Sequence, residues 1–566
     1  MKPEQALSST GVISKRSWLL ITGAIIVNLA ITVPLAKILN TWIDESYTLR
    51  TTGQTLQYAI YQAIHFELQP PLYFALLTLW RTIDHSIFFA RLFSVVCAAL
   101  LVYCAAQLSV RFAPRLDPAW AAWLVALNPA TIWAALEIRV YALGGLCCAL
   151  LMWTFYDGYL ATRTSGRARV LHAVIAVISI YTQYFLGFVL VAQLFALLVT
   201  RRLTVARYFV VAMVAVGVCT LPIVYVLHQQ IAAGTSTYFS NESLKSLLFD
   251  IYGIAFYYVL PVGKLISATG AVHTTRYLVV VGILAAVAVA YILRRAENRT
   301  NAVTAWTIAL VSCTLLVLAF YVTHEPFGYR YVFVTFMPVM IAVLATFAAL
   351  QRSQKYAIAV WAVVFLVASF SQLYSTYQPL AKGGDWIRVS AFLESEEKPN
   401  QPILVFQTEN AMSLEDYYHG KNTVVAVPRP IDFTVAWNEA QVVQSARDVE
   451  QDIASVPGRH PYIWVVNTTE CQDFSVDYHC PIFEHFLATH YTVVLRKEFY
   501  HSEARLLRAR TSIGRAAGIA CASYRVSADL RTPRTGRLDY LRRSADGVLR
   551  PDRKLATAQP GSRSDR

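Results

Sequence analysis

Charge is what this sequence has least of. Only 15% of its 566 residues are Asp, Glu, Lys or Arg, beside 56% apolar ones. Soluble domains carry about 25% charged residues, so an ordinary cytosolic enzyme fits poorly, and a disordered chain is excluded. No Cys-x-x-Cys pair occurs among the nine cysteines, which removes zinc and redox motifs of that spacing. No Gly-rich phosphate loop of either standard spacing is found. Charge is also missing from the central portions of the long apolar runs. Ion- and proton-coupled transporters carry ionisable groups there, so a flippase or transporter of lipid-linked saccharides stands only as the alternative reading.

What is present is apolar sequence in long runs, with a mean hydropathy of +0.44. The first run, 18–39, follows Lys2, Lys15 and Arg16 and reads as a retained signal anchor. Runs of spanning or near-spanning length follow at 86–110, 118–138, 140–158, 170–186, 187–200, 207–228, 276–293, 301–323, 331–350 and 356–377. The 170–200 stretch is expected to form a tight helical hairpin turning near Gly187. Residues 71–83 are too few to cross a hydrocarbon core of about 30 Å, and predict an interfacial or re-entrant helix. Basic clusters at Arg111/Arg115, Arg163/Arg167/Arg169, Arg201/Arg202/Arg207, Arg294/Arg295/Arg299 and Arg352/Lys355 fall in alternate loops. The positive-inside rule then predicts about eleven spans, a cytoplasmic N-terminus and an outer location for everything after residue 377.

The expected architecture is an all-α polytopic membrane domain over 1–379, with a first outer loop at 40–85, followed by a small extracytoplasmic α/β domain over 380–510. In the latter, strand-like segments at 403–406, 423–427, 462–466 and 491–497 alternate with helix-like ones at 385–394, 411–418, 446–455 and 483–489. Residues 511–566 read as a disordered basic tail. Its twelve Lys/Arg against five Asp/Glu supply half of the net charge of +14, so the basic balance does not indicate nucleic acid. Six cysteines lie in apolar runs and read as small core residues. Cys471 and Cys480 alone lie close together in a polar region, and can pair if that region is outside the cytoplasm.

The ionisable candidates gather at the outer ends of the runs: Asp44, Glu45, His65, Glu67, Arg91, Glu137, Arg139, Glu325 and Arg330. Such a ring suits a site that takes a lipid headgroup from one face of the membrane. Asp44 and Glu45 form a carboxylate pair just after the first run, one member being a candidate base. The plainer reading is a solvated helix end with Trp42 in the aromatic belt. Residues 50–69 are amphipathic, with Tyr58, Ile60, Tyr61, Ile64 and Leu68 on one broad face, as in an interfacial helix. His65 and Glu67, two residues apart, do not share a helical face and make a weak metal pair. Pro129 is expected to kink or end its helix, bringing Glu137 and Arg139 to the outer face. Arg139 and Arg330 suit phosphate binding, or plainly snorkel to the interface. Tyr417, Tyr418, His419 and Trp437 are either acceptor contacts or core.

Taken together, these segments resemble the GT-C class of polyprenyl-phosphate-sugar-dependent membrane glycosyltransferases, near the protein O-mannosyltransferase and lipid A aminoarabinose transferase family. The matching pieces run in family order across residues 15–375: Asp44-Glu45, Pro70-Pro71-Leu72-Tyr73, Arg91-Leu92-Phe93-Ser94, Asn128-Pro129, Glu137-x-Arg139-x-Tyr141, and Arg330-Tyr331 with Pro338. Gly384-Asp385-Trp386 opens the outer domain in the same manner. Gln69 departs from the pattern, standing where many relatives carry His or Lys. The resemblance implies a hexosyl or pentosyl transferase of the bacterial inner membrane that works with inversion. Asp44 would take the acceptor proton. Arg139, Arg330 or a divalent cation would receive the phosphate charge, and Glu45 and Glu67 would orient the acceptor or hold that metal. Glu67, Arg91, Glu137, Arg139, Tyr141, Arg330 and Tyr331 are the substrate- and phosphate-binding candidates, and Glu45, His65 and Glu67 the metal candidates. The implied partners are a polyprenyl-phosphate sugar, membrane lipid, and a lipid, glycan or protein acceptor.

Overall fold

A computed structural model describes residues 13–233, 243–261, 282–284, 286–291, 293–294, 299–324, 327–350, 355–434, 441–468, 471–473 and 476–510. The sequence reading of 511–566, part of the 276–293 run, Glu325 and Trp437 fall outside them. Among the described residues, seven helical segments are long and apolar enough to cross a membrane. They lie in α1 (Lys15–Ile38), α5 (Ile87–Phe112), α8 (Tyr141–Phe155, prolonged to Leu160), α11 (Leu203–Ala233), α13 (Thr300–Thr323), α14 (Phe336–Ala349, entered through a 3-10 turn at Tyr329–Thr335) and α15 (Lys355–Thr376). Shorter helices in this part include α2 (Ile43–Thr51), α3 (Leu56–His65), α4 (Leu72–Arg81), α6 (Ala119–Ala126), α7 (Pro129–Ala135), α9 (Gly166–Thr182), α10 (Leu186–Val199) and α12 (Leu244–Val259).

The 118–138 run does not continue as one helix. Asn128 closes α6 and starts α7, its Oδ1 accepting from the Ala130 N–H at 3.0 Å, with Pro129 at the first helical position. The α9–α10 hairpin turns at 183–185, just before Gly187. The amphipathic segment folds as α3, which buries Ala59 and Ala63 and leaves Leu56, Ile60 and Tyr61 exposed. On α11, Val211, Val214, Val218 and Leu221 are all more than 60% exposed. An outward apolar stripe of that kind on a helix long enough to span suits contact with lipid. The protein is an integral membrane protein.

Beyond residue 380 lie α16 (Trp386–Glu396), α17 (Thr408–Glu415), α18 (Ala446–Ser455), α19 (Cys480–His490) and strands β1 (Ile403–Phe406), β2 (Val424–Val427), β3 (Tyr462–Thr468), β4 (Gln472–Asp473), β5 (Val476–Asp477), β6 (Tyr491–Phe499) and β7 (Ser502–Ala509). Five of the strands form a sheet in the order β2-β1-β3-β7-β6, with β1 parallel to both of its neighbours and β7 antiparallel to β3 and β6. β1 reads Ile-Leu-Val-Phe because both its faces are covered. Leu404 and Phe406 enter one core with Phe483 and Leu487, while Ile403 and Val405 enter the other with Trp386, Leu393 and Leu414. Cys471 and Cys480 are disulfide-bonded across the β4–β5 hairpin.

Candidate functional site

The helix α5 sets the frame. Arg91 lies in its first turns and Arg111 in its last, so they stand about 30 Å apart along the axis at 1.5 Å per residue. At the Arg111 end, Arg111 pairs with Asp157 at 2.8 Å, and Arg169 and Arg202 donate to the Gly158 and Leu160 carbonyls. At the Arg91 end, next to the α/β domain, the acidic and basic candidates from the sequence converge.

Asp44 and Glu45 occupy the first turn of α2, where acidic side chains favour the helix N-terminus. Neighbours on a helix point about 100° apart, and the two carboxylates go to different surroundings. Asp44 remains partly accessible, with 16% of its side chain exposed. Its Oδ2 is gripped by Arg330 Nη1, and the Arg139 Nε stands 3.9 Å away. Arg139 also pairs with Glu67 at 2.7 Å and donates to Thr48 Oγ1 at 2.8 Å. Thr51 donates to the other Glu67 oxygen at 3.1 Å. Burial pushes the Glu67 carboxyl above its ordinary range, and the Arg139 guanidinium beside it pulls the other way. The result is a cluster of two carboxylates and two guanidiniums drawn from α2, the loop after α3, the α7–α8 connection and the turn before α14.

Aromatic rings wall this cluster. The Arg330 guanidinium lies over the rings of Trp42 and Tyr331, at 5.6 and 5.7 Å. Tyr141 is buried and stacks on Trp133 at 4.9 Å. Tyr331 packs edge-on against Phe185 at 5.4 Å.

Glu45 belongs to a second cluster and is fully buried. Arg91 donates to both its oxygens, at 3.2 and 3.1 Å, and the Ile138 N–H donates at 2.8 Å. Lys382 Nζ stands 2.9 Å from Glu45 Oε2 and 3.0 Å from Glu137 Oε1. Trp42 Nε1 donates to the other Glu137 oxygen at 2.6 Å. Arg91, fully buried too, also donates through Nη1 and Nη2 to the Ala36, Leu39 and Asn40 carbonyls at and just past the end of α1. Neither Glu45 nor Arg91 reaches open space in this arrangement. Lys382, which sequence reasoning missed, lies two residues before the Gly384-Asp385-Trp386 motif that marked the start of the domain.

Among the described residues, no group of three or more His, Cys, Asp or Glu side chains comes together to hold a metal. Of the metal candidates, Glu45 faces Arg91 and Lys382, Glu67 faces Arg139, and His65 is exposed on α3 with its ring tilted against Tyr61 at 4.3 Å. As described, these three candidates do not come together in a metal site.

No protein-family model and no curated protein matches the chain. Solved structures do. ArnT from Cupriavidus metallidurans bound to undecaprenyl phosphate is 14% identical, over 87% of this chain and 98% of that one, with a TM-score of 0.51. Its apo form is also 14% identical, over 86% and 98%, with a TM-score of 0.49. The Archaeoglobus fulgidus oligosaccharyltransferase in complex with zinc and sulfate is 10% identical, over 79% and 68%, with a TM-score of 0.44. The likeness to the undecaprenyl-phosphate-bound ArnT structure shows the fold. It is GT-C-like, a polytopic helical membrane domain followed by a smaller α/β domain.

Proposed function

We propose that this GT-C-like protein is a membrane glycosyltransferase, moving a sugar from a polyprenyl-phosphate-linked donor to an acceptor outside the cytoplasm. The observation that carries this reading is the Asp44 carboxylate, partly open and held between Arg139 and Arg330 at the end of the bundle next to the α/β domain. The ArnT structure of the same fold holds undecaprenyl phosphate, a ligand whose prenyl chain suits an apolar groove and whose phosphate suits guanidinium. The basic residues Arg111, Arg169 and Arg202 lie at the opposite end, which supports a cytoplasmic location for that end in a bacterial inner membrane. We assign the transferase to residues 1–379, with its reacting groups in the 40–85 loop, and the outer α/β domain to 380–510.

In this mechanism the donor phosphate competes with Asp44 for Arg139 and Arg330. The exchange frees a carboxylate oxygen to face the acceptor. The acceptor oxygen or nitrogen forms its bond to the anomeric carbon from the side opposite the phosphate, and its proton passes to Asp44. The bond between the anomeric carbon and the phosphate oxygen breaks, with inversion. Polyprenyl phosphate leaves carrying the new negative charge, which the two arginines stabilise.

Mass spectrometry of cell-envelope glycans with and without the gene names sugar and acceptor together. Transfer in isolated membranes then tests the roles. Asp44→Asn is expected to lower transfer about 10²–10⁴-fold, the usual worth of a general base. Arg139→Ala is expected to weaken donor use by at least about tenfold. Retained transfer by Asp44→Asn at normal protein levels removes Asp44 as the base.

A further inference from the structure

Lys382 lies in the strap between α15 and α16, outside the proposed reacting groups. An ammonium has three donors, and three acceptors surround this one: Glu45 Oε2 at 2.9 Å, Glu137 Oε1 at 3.0 Å and the Leu136 carbonyl at 2.9 Å. The backbone of the same residue is clasped by Asn40. Its N–H donates to Asn40 Oδ1 at 3.1 Å, and its carbonyl accepts from Asn40 Nδ2 at 2.6 Å. These acceptors belong to two segments. Glu45 directly follows Asp44, while Leu136 and Glu137 lie just before Arg139. The two segments also touch directly, through the Ile138 N–H on Glu45.

The charges in this cluster balance. Glu45 and Glu137, both nearly or fully buried, face Arg91 and Lys382. Arg91 is spent on Glu45 and the end of α1, so Glu137 depends on Lys382 for its neutralisation. Without the lysine, two buried carboxylates share one guanidinium, and the segments that carry them repel.

We propose that Lys382 is a positioning residue: by neutralising Glu45 and Glu137 together, it lets the segment carrying Asp44 close on the segment carrying Arg139. The role rests on the reading of Asp44 and Arg139 as the base and phosphate-binding groups. It makes the entrance of the α/β domain a structural part of the transferase site.

The test uses the full chain in lipid nanodiscs, with undecaprenyl phosphate as the probe and binding measured at pH 6 and pH 8. For Lys382→Met, a buried carboxyl loses the cation that opposes its desolvation, so its ionised form becomes costlier as the pH rises. Binding is expected to be roughly tenfold weaker at pH 8 than at pH 6, a fall that wild type does not share. The double variant Lys382→Met/Glu137→Gln restores the charge balance, and is expected to bind within about threefold of wild type at both pH values. Wild type failing to bind the probe overturns the donor reading and the positioning role with it. Wild type binding normally while Lys382→Met is unchanged at both pH values overturns the positioning role alone. Where Lys382→Met fails to accumulate, the double variant carries the test. Its recovery as folded, probe-binding protein supports the charge argument, and its failure overturns it.

Discussion

Asp44 and Glu45 are neighbours in sequence and differ entirely in surroundings. Asp44 keeps an open side and two arginines; Glu45 is sealed against Arg91, Lys382 and the Ile138 amide. Burial by itself raises the Glu45 carboxyl, but these partners outweigh it and hold it below the ordinary carboxylate range. A depressed carboxyl stabilises the fold above the unfolded value of 4.5, and that contribution is lost as pH falls through the folded value. Glu45→Gln takes the paired carboxylate from the fully buried Arg91 and leaves Lys382 with Glu137 alone. It is expected to cost about 3–5 kcal/mol at neutral pH. Thermal unfolding of the detergent-solubilised protein checks this, and the gap from wild type is expected to shrink below about pH 4. The acidic and basic residue types at this end were legible, because charge is rare elsewhere in the runs. The division into two clusters was not, since it depends on which way α2 is turned. Lys382 carried one faint signal, the Gly383 beside it. Gly383 has φ +65°, and a Cβ there would lie 2.8 Å from the Trp42 Cβ, so only glycine lets the strap lie this close to the first loop.

At the scale of elements, the apolar runs predicted most helices because about 20 apolar residues have few alternatives in lipid. Asn128-Pro129 shows where local chemistry overrides the run: the side-chain cap and the proline together favour a new helix start. α12 went unread, since Lys245 and Asp250 interrupt a helix of only 16 residues. β7 reads Ser-Glu-Ala-Arg-Leu-Leu-Arg-Ala, without a strand's alternation, and is recruited by pairing with both β3 and β6. In α18, partial burial and the nearby Asp448 push the Asp452 carboxyl up to about 7, against the pull of Arg429. A raised carboxyl binds its proton more tightly when folded, so its contribution to stability declines as pH rises from about 4 towards 7. Asp452→Asn is expected to slow hydrogen exchange in β1 and β3 of the full chain at pH 8 and to leave it unchanged near pH 4. Because the group is partly exposed, the gain is about 1 kcal/mol.

The whole molecule brings its two parts together on α2. Asp416, just past α17, accepts from Ser46 at 2.8 Å and from Thr41 at 3.1 Å, and the Tyr417 hydroxyl receives the Thr41 N–H at 2.7 Å. Arg50 reaches Glu415 at 2.9 Å. Asp416→Ala leaves the Ser46 and Thr41 hydroxyls without this acceptor in a buried interface. It is expected to loosen the docking by about 1–3 kcal/mol. Faster hydrogen exchange over 41–50, with the sheet itself unchanged, is the measurement; unchanged exchange there removes Asp416 from the docking.

The sequence by itself determined the solvent this protein folds in, the alternation of helix and strand beyond residue 380, and the residue types available for chemistry, because lipid and backbone periodicity act on short stretches of chain. Only the tertiary structure decided which carboxylate meets which cation. Glu67 pairs with a residue 72 positions away, Asp44 with one 286 away, and Glu45 with the strap that enters the second domain. Buried charges find their partners through helix packing, and no local pattern encodes a distance that exists only once the helices have been assembled.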